Sequence, residues 1–391
     1  MFGLLLAIAV LLSSCGGERE NRANVRYLSL SESDIAQIEV ADDIRYAEGF
    51  AVRSFANATL VDIKDPAAAS DNAVLYKYAL VPRKELRDSN EPIEIPEGYQ
   101  PIEVPIERAI CMTTLQLSPF IKLGESDKVV GITSSRFLQN KELNDRLKAG
   151  TLARIGIEGE FDTEVVLSLD PELIFISPYK RGGYDAIKDT GVPMLAYLGY
   201  KELSALGQAE WIKLVGMLLG VEEEAKREFA RVEREYNKLA NMVERRAKSR
   251  PTVMSGEMHS GNWYVVGGAS ALARLFNDAG AEYFMKNDSE SGGYYIDFET
   301  VYAAGHDADY WRIANSHAGE FSYETLLQSD VRYRDFKALK ERNVLYCNLR
   351  RVPFYENTPM EPDVVLADLI KVFHPTLMVS HKPVYYSKLT K

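Results

Sequence analysis

From Val221 to Ser249 the chain reads VEEEAKREFARVEREYNKLANMVERRAKS, without a Gly or Pro. Ala225, Phe229, Val232, Tyr236, Leu239 and Val243 recur at spacings of three and four, which sets them on one stripe of a helix. Charges fill the opposite face, including the i,i+4 pairs Glu222/Lys226 and Glu223/Arg227. The segment predicts one helix of about 27 residues, reaching ~40 Å. Such a helix is an ordinary surface helix, a coiled-coil arm, or a strut between two bodies. Its place near the middle of 391 residues, between two halves of similar texture, favours the strut.

Working outward, short apolar runs alternate with helical stretches on both sides. Upstream they are Ala109–Cys111, Val129–Ile132, Leu173–Ile176 and Pro193–Tyr197; downstream, Thr252–Met254, Tyr310–Ile313 and Val344–Tyr346. That alternation predicts an α/β fold of two doubly wound lobes joined by one long helix. The expected divisions are a first lobe at 106–207, an interlobe helical region at 208–248 and a second lobe at 249–391. Ahead of them, 45–105 reads as a β-rich extension packed on the first lobe. Gly49–Phe55, Thr59–Ile63 and Val74–Val81 have strand patterning, and the proline-rich stretch 92–105 predicts an extended connector.

The opening residues read differently. Phe2–Leu12 is apolar but too short to span a bilayer, and it runs into Leu12-Ser13-Ser14-Cys15-Gly16-Gly17. This resembles a bacterial lipoprotein signal, although no Lys or Arg precedes the apolar run. The resemblance implies cleavage before Cys15 and lipid attachment there, with 16–44 as a tether; the alternative is a plain secretory signal. Cys111 and Cys347 then remain, each in a strand-like run and each expected to be buried, their pairing left open. No later run approaches eighteen apolar residues, so membrane association is expected through the lipid alone. A net charge of −11 argues against a nucleic-acid partner.

The two halves also share a local pattern. Phe161-Asp162-Thr163-Glu164-Val165-Val166 precedes the run Leu173–Ile176, and Ile296-Asp297-Phe298-Glu299-Thr300-Val301 precedes Tyr310–Ile313. Each Glu falls in the first turn of a helix, where the dipole favours a carboxylate. They either stabilise their helices alone or form two equivalent points of a docking surface.

Taken together, the chain from about 105 to 391 resembles the substrate-binding proteins of ABC importers for ferric siderophores, haem and cobalamin. The carriers are Val130-Gly131-Ile132-Thr133, Ile155–Glu164, Leu169–Ile174, Gly191-Val192-Pro193, the long helix, Gly261–Gly268, Asp368-Leu369-Ile370 and His374-Pro375. It departs in carrying a longer N-terminal extension, and in Gly305-His306-Asp307-Ala308-Asp309, where a Pro-Asp-like strand start is usual. The resemblance implies a monomeric, non-enzymatic receptor outside the cytoplasm that hands a metal complex to a two-subunit permease. Glu164 and Glu299 match the family's permease-docking glutamates, and the single rigid helix implies a small lobe closure.

In open α/β sheets ligands bind beyond the carboxyl ends of the strands. Candidates there include Thr113, Thr114, Arg136, Tyr179 and Arg181 on the first lobe, and Trp263, Tyr264, Tyr294, Tyr295, Asn315, Ser316, Arg350, Arg351 and Tyr355 on the second. Aromatic rings with a few cations suit a bulky, anionic metal complex. The five histidines show no metalloenzyme spacing, and no resident cofactor or protein-held metal is expected. Two alternatives stand beside this reading: a receptor for a directly chelated zinc or manganese ion, and an exported hydrolase on a bilobal frame.

Overall fold

The computed structural model describes residues 25–41, 43–68, 74–84, 92–133, 138–157, 159–178 and 184–390. Cys15, Arg136, Tyr179 and Arg181 lie outside these residues.

The extension forms a four-stranded sheet of β1 (Phe50–Phe55), β2 (Ala58–Lys64), β3 (Val74–Pro82) and β4 (Gln100–Val104). Successive pairs β1/β2 and β2/β3 are antiparallel, whereas β4 joins β3 in parallel. The proline-rich stretch is therefore more than a connector. Its Ile93–Pro96 segment pairs in parallel with Val25–Leu28, and Glu32–Gln37 forms a helix capped by Ser31. Residues from Val25 onward are thus part of the packed body, which the sequence reading began only near residue 45, because that early strand and the buried Ile35 complete a small apolar cluster under the sheet. The other face of the sheet puts Val52, Val61, Ile63, Tyr78 and Leu80 into the core of the first lobe.

That lobe holds five parallel strands, β5 (Ala109–Cys111), β6 (Val129–Ile132), β7 (Ala153–Arg154), β8 (Leu173–Ile176) and β9 (Met194–Ala196). Their order is β9-β8-β5-β6-β7. The all-apolar run of β8 is buried at every position, as a strand covered on both faces must be. Helix α1 (Thr114–Leu123) follows β5, and α2 (Thr163–Ser168) precedes β8.

Two helices carry the chain across. Helix α3 (Ala205–Leu219) and helix α4 (Glu222–Arg246) form a hairpin. The expected long helix is present, with Ala225, Phe229, Val232, Tyr236 and Val243 buried and charges outward. It is not a lone strut. The buried side chains of α4 join the second-lobe core, whereas α3 contributes to both: Trp211, Leu214, Val215 and Leu218 to the first, Leu206, Ala209 and Ile212 to the second. Each such buried apolar side chain stabilises the shared packing by roughly 1.5–3 kcal/mol. The helices touch where a side chain on Gly216 would place its Cβ 2.5 Å from that of Ala225.

Carboxylates on this connection also fasten the extension. Glu210, fully buried, accepts the N–H groups of Arg45, Tyr46 and Ala47, and pairs with Lys213 at 2.7 Å. Glu202 accepts from Glu48, Gly49 and the Trp211 indole.

The second lobe is built from β10 (Thr252–Ser255), β11 (Glu257–His259), β12 (Asn262–Val266), β13 (Glu282–Tyr283), β14 (Gly293–Ile296), β15 (Tyr310–Asn315), β16 (Val344–Asn348) and β17 (Ser387–Lys388). The main sheet runs β13-β10-β15-β16-β17, parallel except for β17; β11-β12-β14 is a separate antiparallel meander. Its helices include α5 (Ala271–Asp278), α6 (Phe298–Gly305), α7 (Phe354–Asn357) and α8 (Pro362–Phe373). Gly267 is a close-packing residue, since a Cβ there would lie 1.8 Å from the Glu290 carbonyl oxygen. Cys111 and Cys347 are buried free thiols, and burial pushes the Cys347 thiol up to about 12.

Candidate ligand-binding site

Strand order reverses between β5 and β8 in the first lobe and between β10 and β15 in the second. Each reversal opens a crevice beyond the strand ends, because the flanking connections leave in opposite directions. On the first lobe, Thr113 precedes the first turn of α1, and its N–H and that of Met112 donate to Gln116 Oε1. Gln116 Nε2 donates in turn to Ser177 Oγ at 3.2 Å, tying the carboxyl ends of β5 and β8 together. Thr113 and Thr114 are partly exposed at this end.

The second lobe corrects one expectation. Trp263 is 0% exposed, stacks on Trp311 and donates its indole N–H to the Ser255 carbonyl oxygen. It is a core pin and has no face to offer a ligand. Alternation along β12 turns the next residue outward: Tyr264 is 44% exposed and meets Tyr295, 55% exposed, edge-on at 5.3 Å. His259 stacks on Tyr295 at 6.4 Å, completing an exposed aromatic ledge. Tyr294 is set apart from it, half-buried, with its hydroxyl donated to Asp288.

Behind the ledge lies a polar chain. Tyr346 donates to Asn315 Oδ1, and Asn315 Nδ2 donates to Glu257 Oε2. Burial pushes the Glu257 carboxyl above its ordinary range. Arg350 and Arg351 are exposed, and they brace the loop after β15 by donating to the Ser316 and Gly319 carbonyl oxygens. Tyr355 is half-buried, edge-on to Phe354.

The lobes meet through α7 and α1. Glu356, 1% exposed on the second lobe, accepts the N–H groups of Gln139 and Asn140 on the first. Lys122 and Glu361 form a second bridge at 3.3 Å. Asp162 and Asp297 cap helices α2 and α6, accepting from Val165 and Thr300. Glu164 and Glu299 are exposed at the same position of the two helices.

Among the described residues no three His, Cys, Asp or Glu side chains converge to hold a metal ion. The His381–Asp368 pair, 2.7 Å apart, has the look of a catalytic dyad. Both Asp368 oxygens, however, also accept backbone N–H groups from Val384, Tyr385 and Tyr386, so the carboxylate holds the C-terminal segment in place. His374 is buried, with Nε2 against the Gly280 carbonyl oxygen, and burial holds its ring below the usual histidine range.

A family model described as periplasmic binding protein matches residues 110–349, more than half of the chain. The chain belongs to that family. This periplasmic binding protein is 22% identical to an uncharacterised lipoprotein of Methanocaldococcus jannaschii, over 98% of its own length and 94% of the relative's. A second uncharacterised lipoprotein of that organism is also 22% identical, over 99% and 97%. Among solved structures, a periplasmic haem-binding protein from Pseudomonas aeruginosa superposes with a TM-score of 0.57 at 21% identity, covering 73% of this chain and 98% of that one. The molybdate-binding MolA of Haemophilus influenzae gives a TM-score of 0.54 at 16% identity, covering 70% and 88%. At these identities the likeness establishes the two-lobed α/β fold. Among the described residues, no helix is long and apolar enough to cross a membrane.

Sequence reasoning passed over Glu257, His259, Arg312 and Glu356, whereas Tyr264 was among its candidates. One signal was available: Arg312 interrupts the otherwise apolar β15 run Tyr310-Trp311-Arg312-Ile313.

Proposed function

We propose that this protein is the extracytoplasmic solute-binding component of an ABC importer. It captures an organic metal complex of the iron-siderophore or cobalamin kind in the interlobe crevice and delivers it to a permease. The observation that carries the reading is the aromatic ledge of His259, Tyr264 and Tyr295 beside the switch-point crevice, within a family of solute-binding proteins. Contacting rings left in solvent offer apolar contact area at low entropic cost, and the complexes named are bulky. Lipid attachment at Cys15 tethers the receptor, in keeping with its lipoprotein relatives. Glu164 and Glu299 stand equivalently on the two lobes and register a basic permease surface, where rim carboxylates act mainly on encounter and alignment.

The test is a titration of intrinsic tryptophan fluorescence in protein lacking residues 1–15, using a ferric catecholate, a ferric hydroxamate, haem and cobalamin. The complexes quench by absorbing the emission, so the buried Trp263 and Trp311 still report. Saturable submicromolar quenching by one of them supports the reading; silence toward all four with a response to free zinc overturns it. For docking, charge reversal at both Glu164 and Glu299 abolishes uptake while leaving ligand affinity unchanged; uptake at the wild-type rate refutes that assignment.

A further inference from the structure

The buried carboxylates that hold this fold together are well supplied with backbone donors. Glu202 and Glu356 each accept two backbone N–H groups, and Glu210 and Asp368 each accept three. Glu257 differs. Among the described residues it accepts no backbone N–H and forms no ion pair, and its hydrogen bond is the 3.1 Å contact from Asn315 Nδ2 to Oε2. A carboxylate offers about four acceptor sites on its two oxygens, so Oε1 stands ready for a further donor.

Its place in the fold is the switch point of the second lobe. Glu257 stands two residues beyond the end of β10, and Asn315 is the last residue of β15. Their contact therefore spans the carboxyl ends of the two strands between which the order reverses. The register of the meander fixes the direction of the side chain. Glu257 lies opposite Tyr264, and Tyr264 opposite Tyr295, so all three leave one face, while Met258 and Trp263 turn to the aromatic core. Tyr264 and Tyr295 are exposed on that face and Glu257 is partly so, which sets the carboxyl at the border of the ledge. It is held there in advance. Asn315 Oδ1 accepts from the Tyr346 hydroxyl and the His317 N–H, which fixes the amide with Nδ2 toward Glu257. Arg312 on β15 and His259 on β11 favour the charged form of the group, and burial opposes it. A ligand donor at Oε1 would offset that burial, as backbone donors do for the structural carboxylates.

We infer that Glu257 is a specificity residue of the crevice, and that the natural ligand is a metal complex whose periphery carries N–H donors, amides or amines. One of these docks on Oε1 while an apolar part of the complex lies on Tyr264 and Tyr295. This rests on the solute-binding reading above and narrows it. A complex edged with anionic oxygens, such as haem with its propionates or a ferric tris-catecholate, meets the carboxylate as a like charge, whereas an amide-bearing corrinoid satisfies it.

The experiment compares wild type with Glu257→Ala and Glu257→Gln, each first checked by circular dichroism and thermal unfolding. Tryptophan quenching is titrated with two pairs of complexes, each sharing a core and exchanging N–H donors for carboxylates. One pair is cobinamide and cobyrinic acid; the other is a ferric hydroxamate with a free amine and its counterpart with a carboxylate there. Haem and a ferric tris-catecholate complete the set. Wild type is expected to prefer the donor-bearing member of a pair. Glu257→Ala should bind that member about ten- to a hundredfold more weakly, the usual weight of a lost hydrogen bond to a charged group, and Glu257→Gln should fall between. Affinity for the carboxylate member should not fall, whereas a merely structural role would weaken both members alike. An unchanged ratio within the pair in Glu257→Ala, or a wild-type preference for a carboxylate member, haem or the catecholate, overturns the inference and leaves the solute reading standing. If Glu257→Ala does not fold, the ratio is read from Glu257→Gln. If wild type binds none of the complexes, the solute reading falls and this inference with it.

Discussion

Replacing Glu356 by alanine tests how the two lobes are held together. Its carboxylate is 1% exposed and receives the Asn140 N–H at 2.9 Å as well as the Gln139 N–H. Both donors belong to the first lobe and the acceptor to the second. Hydrogen bonds to a charged acceptor contribute about 1.5–3 kcal/mol each, and truncation leaves two donors without a partner. Against this stands the burial of the carboxylate, which pushes its pKa up and shows that ionisation here is opposed. The balance is a net loss of about 2–4 kcal/mol for Glu356→Ala. Glu356→Gln keeps one acceptor oxygen and should lose about half as much. Chemical denaturation gives the stability change, and amide exchange locates it. Protection should fall at Gln139 and Asn140 and around α7, while the β1–β4 sheet is unaffected. A Glu356→Ala protein within about 0.5 kcal/mol of wild type, the ordinary range for surface changes, with unaltered exchange at those amides refutes the clasp.

Three further outcomes are expected. Gly216→Leu forces α3 away from α4 at Ala225 and should cost about 1–3 kcal/mol in thermal unfolding, the range for overpacking; an unchanged melting temperature would show that the hairpin yields freely. Trp263→Phe should lower stability without weakening ligand binding, whereas Tyr264→Ala and Tyr295→Ala should do the reverse; a ligand-binding defect confined to Trp263→Phe would put the ledge in the wrong place. Burial raises the carboxyls of Glu202, Glu257, Glu356 and Asp363 above their ordinary range. A raised acid contributes stability that is full below its unfolded-state value and is lost as pH rises through its folded-state value. The depressed His374 acts in the opposite sense over this range, so the variant is compared with wild type. Between mildly acidic and neutral pH, urea unfolding of Glu257→Gln should lose less stability than wild type, and an identical pH profile in that variant excludes Glu257 from the effect.

The two-lobed α/β architecture was legible because parallel strands buried on both faces leave unbroken apolar runs such as Leu173–Ile176, and because α4 writes its buried stripe at helical spacing. The role of α3 was not. Twelve of its fifteen residues are buried, and a helix covered nearly all round has no polar face to mark it as an element of its own. The early strand Val25–Leu28 was hidden for a different reason, since its partner Ile93–Pro96 is far off in sequence and only the pairing makes it a strand. Within the crevice, residue type misled. Trp263 and Tyr264 are neighbours of equal aromatic appeal, and only the pleat of β12, fixed by its pairing with β11 and β14, decides which one faces out. Arg350 and Arg351 illustrate the same limit, because their carbonyl partners come from a loop more than thirty residues earlier.

Because α3 supplies side chains to both cores, the seam between the lobes does not fall at any one peptide bond. A chimera that exchanged the second lobe for a relative's at residue 207 would graft foreign residues against Leu206 and the retained first-lobe core while discarding Trp211, Leu214 and Leu218. The transferable part would have to begin after α4, and even then would need a surface shaped to receive that helix's buried stripe. Ligand preference in this scaffold is therefore better altered by resurfacing the meander of β11, β12 and β14 than by recombining halves.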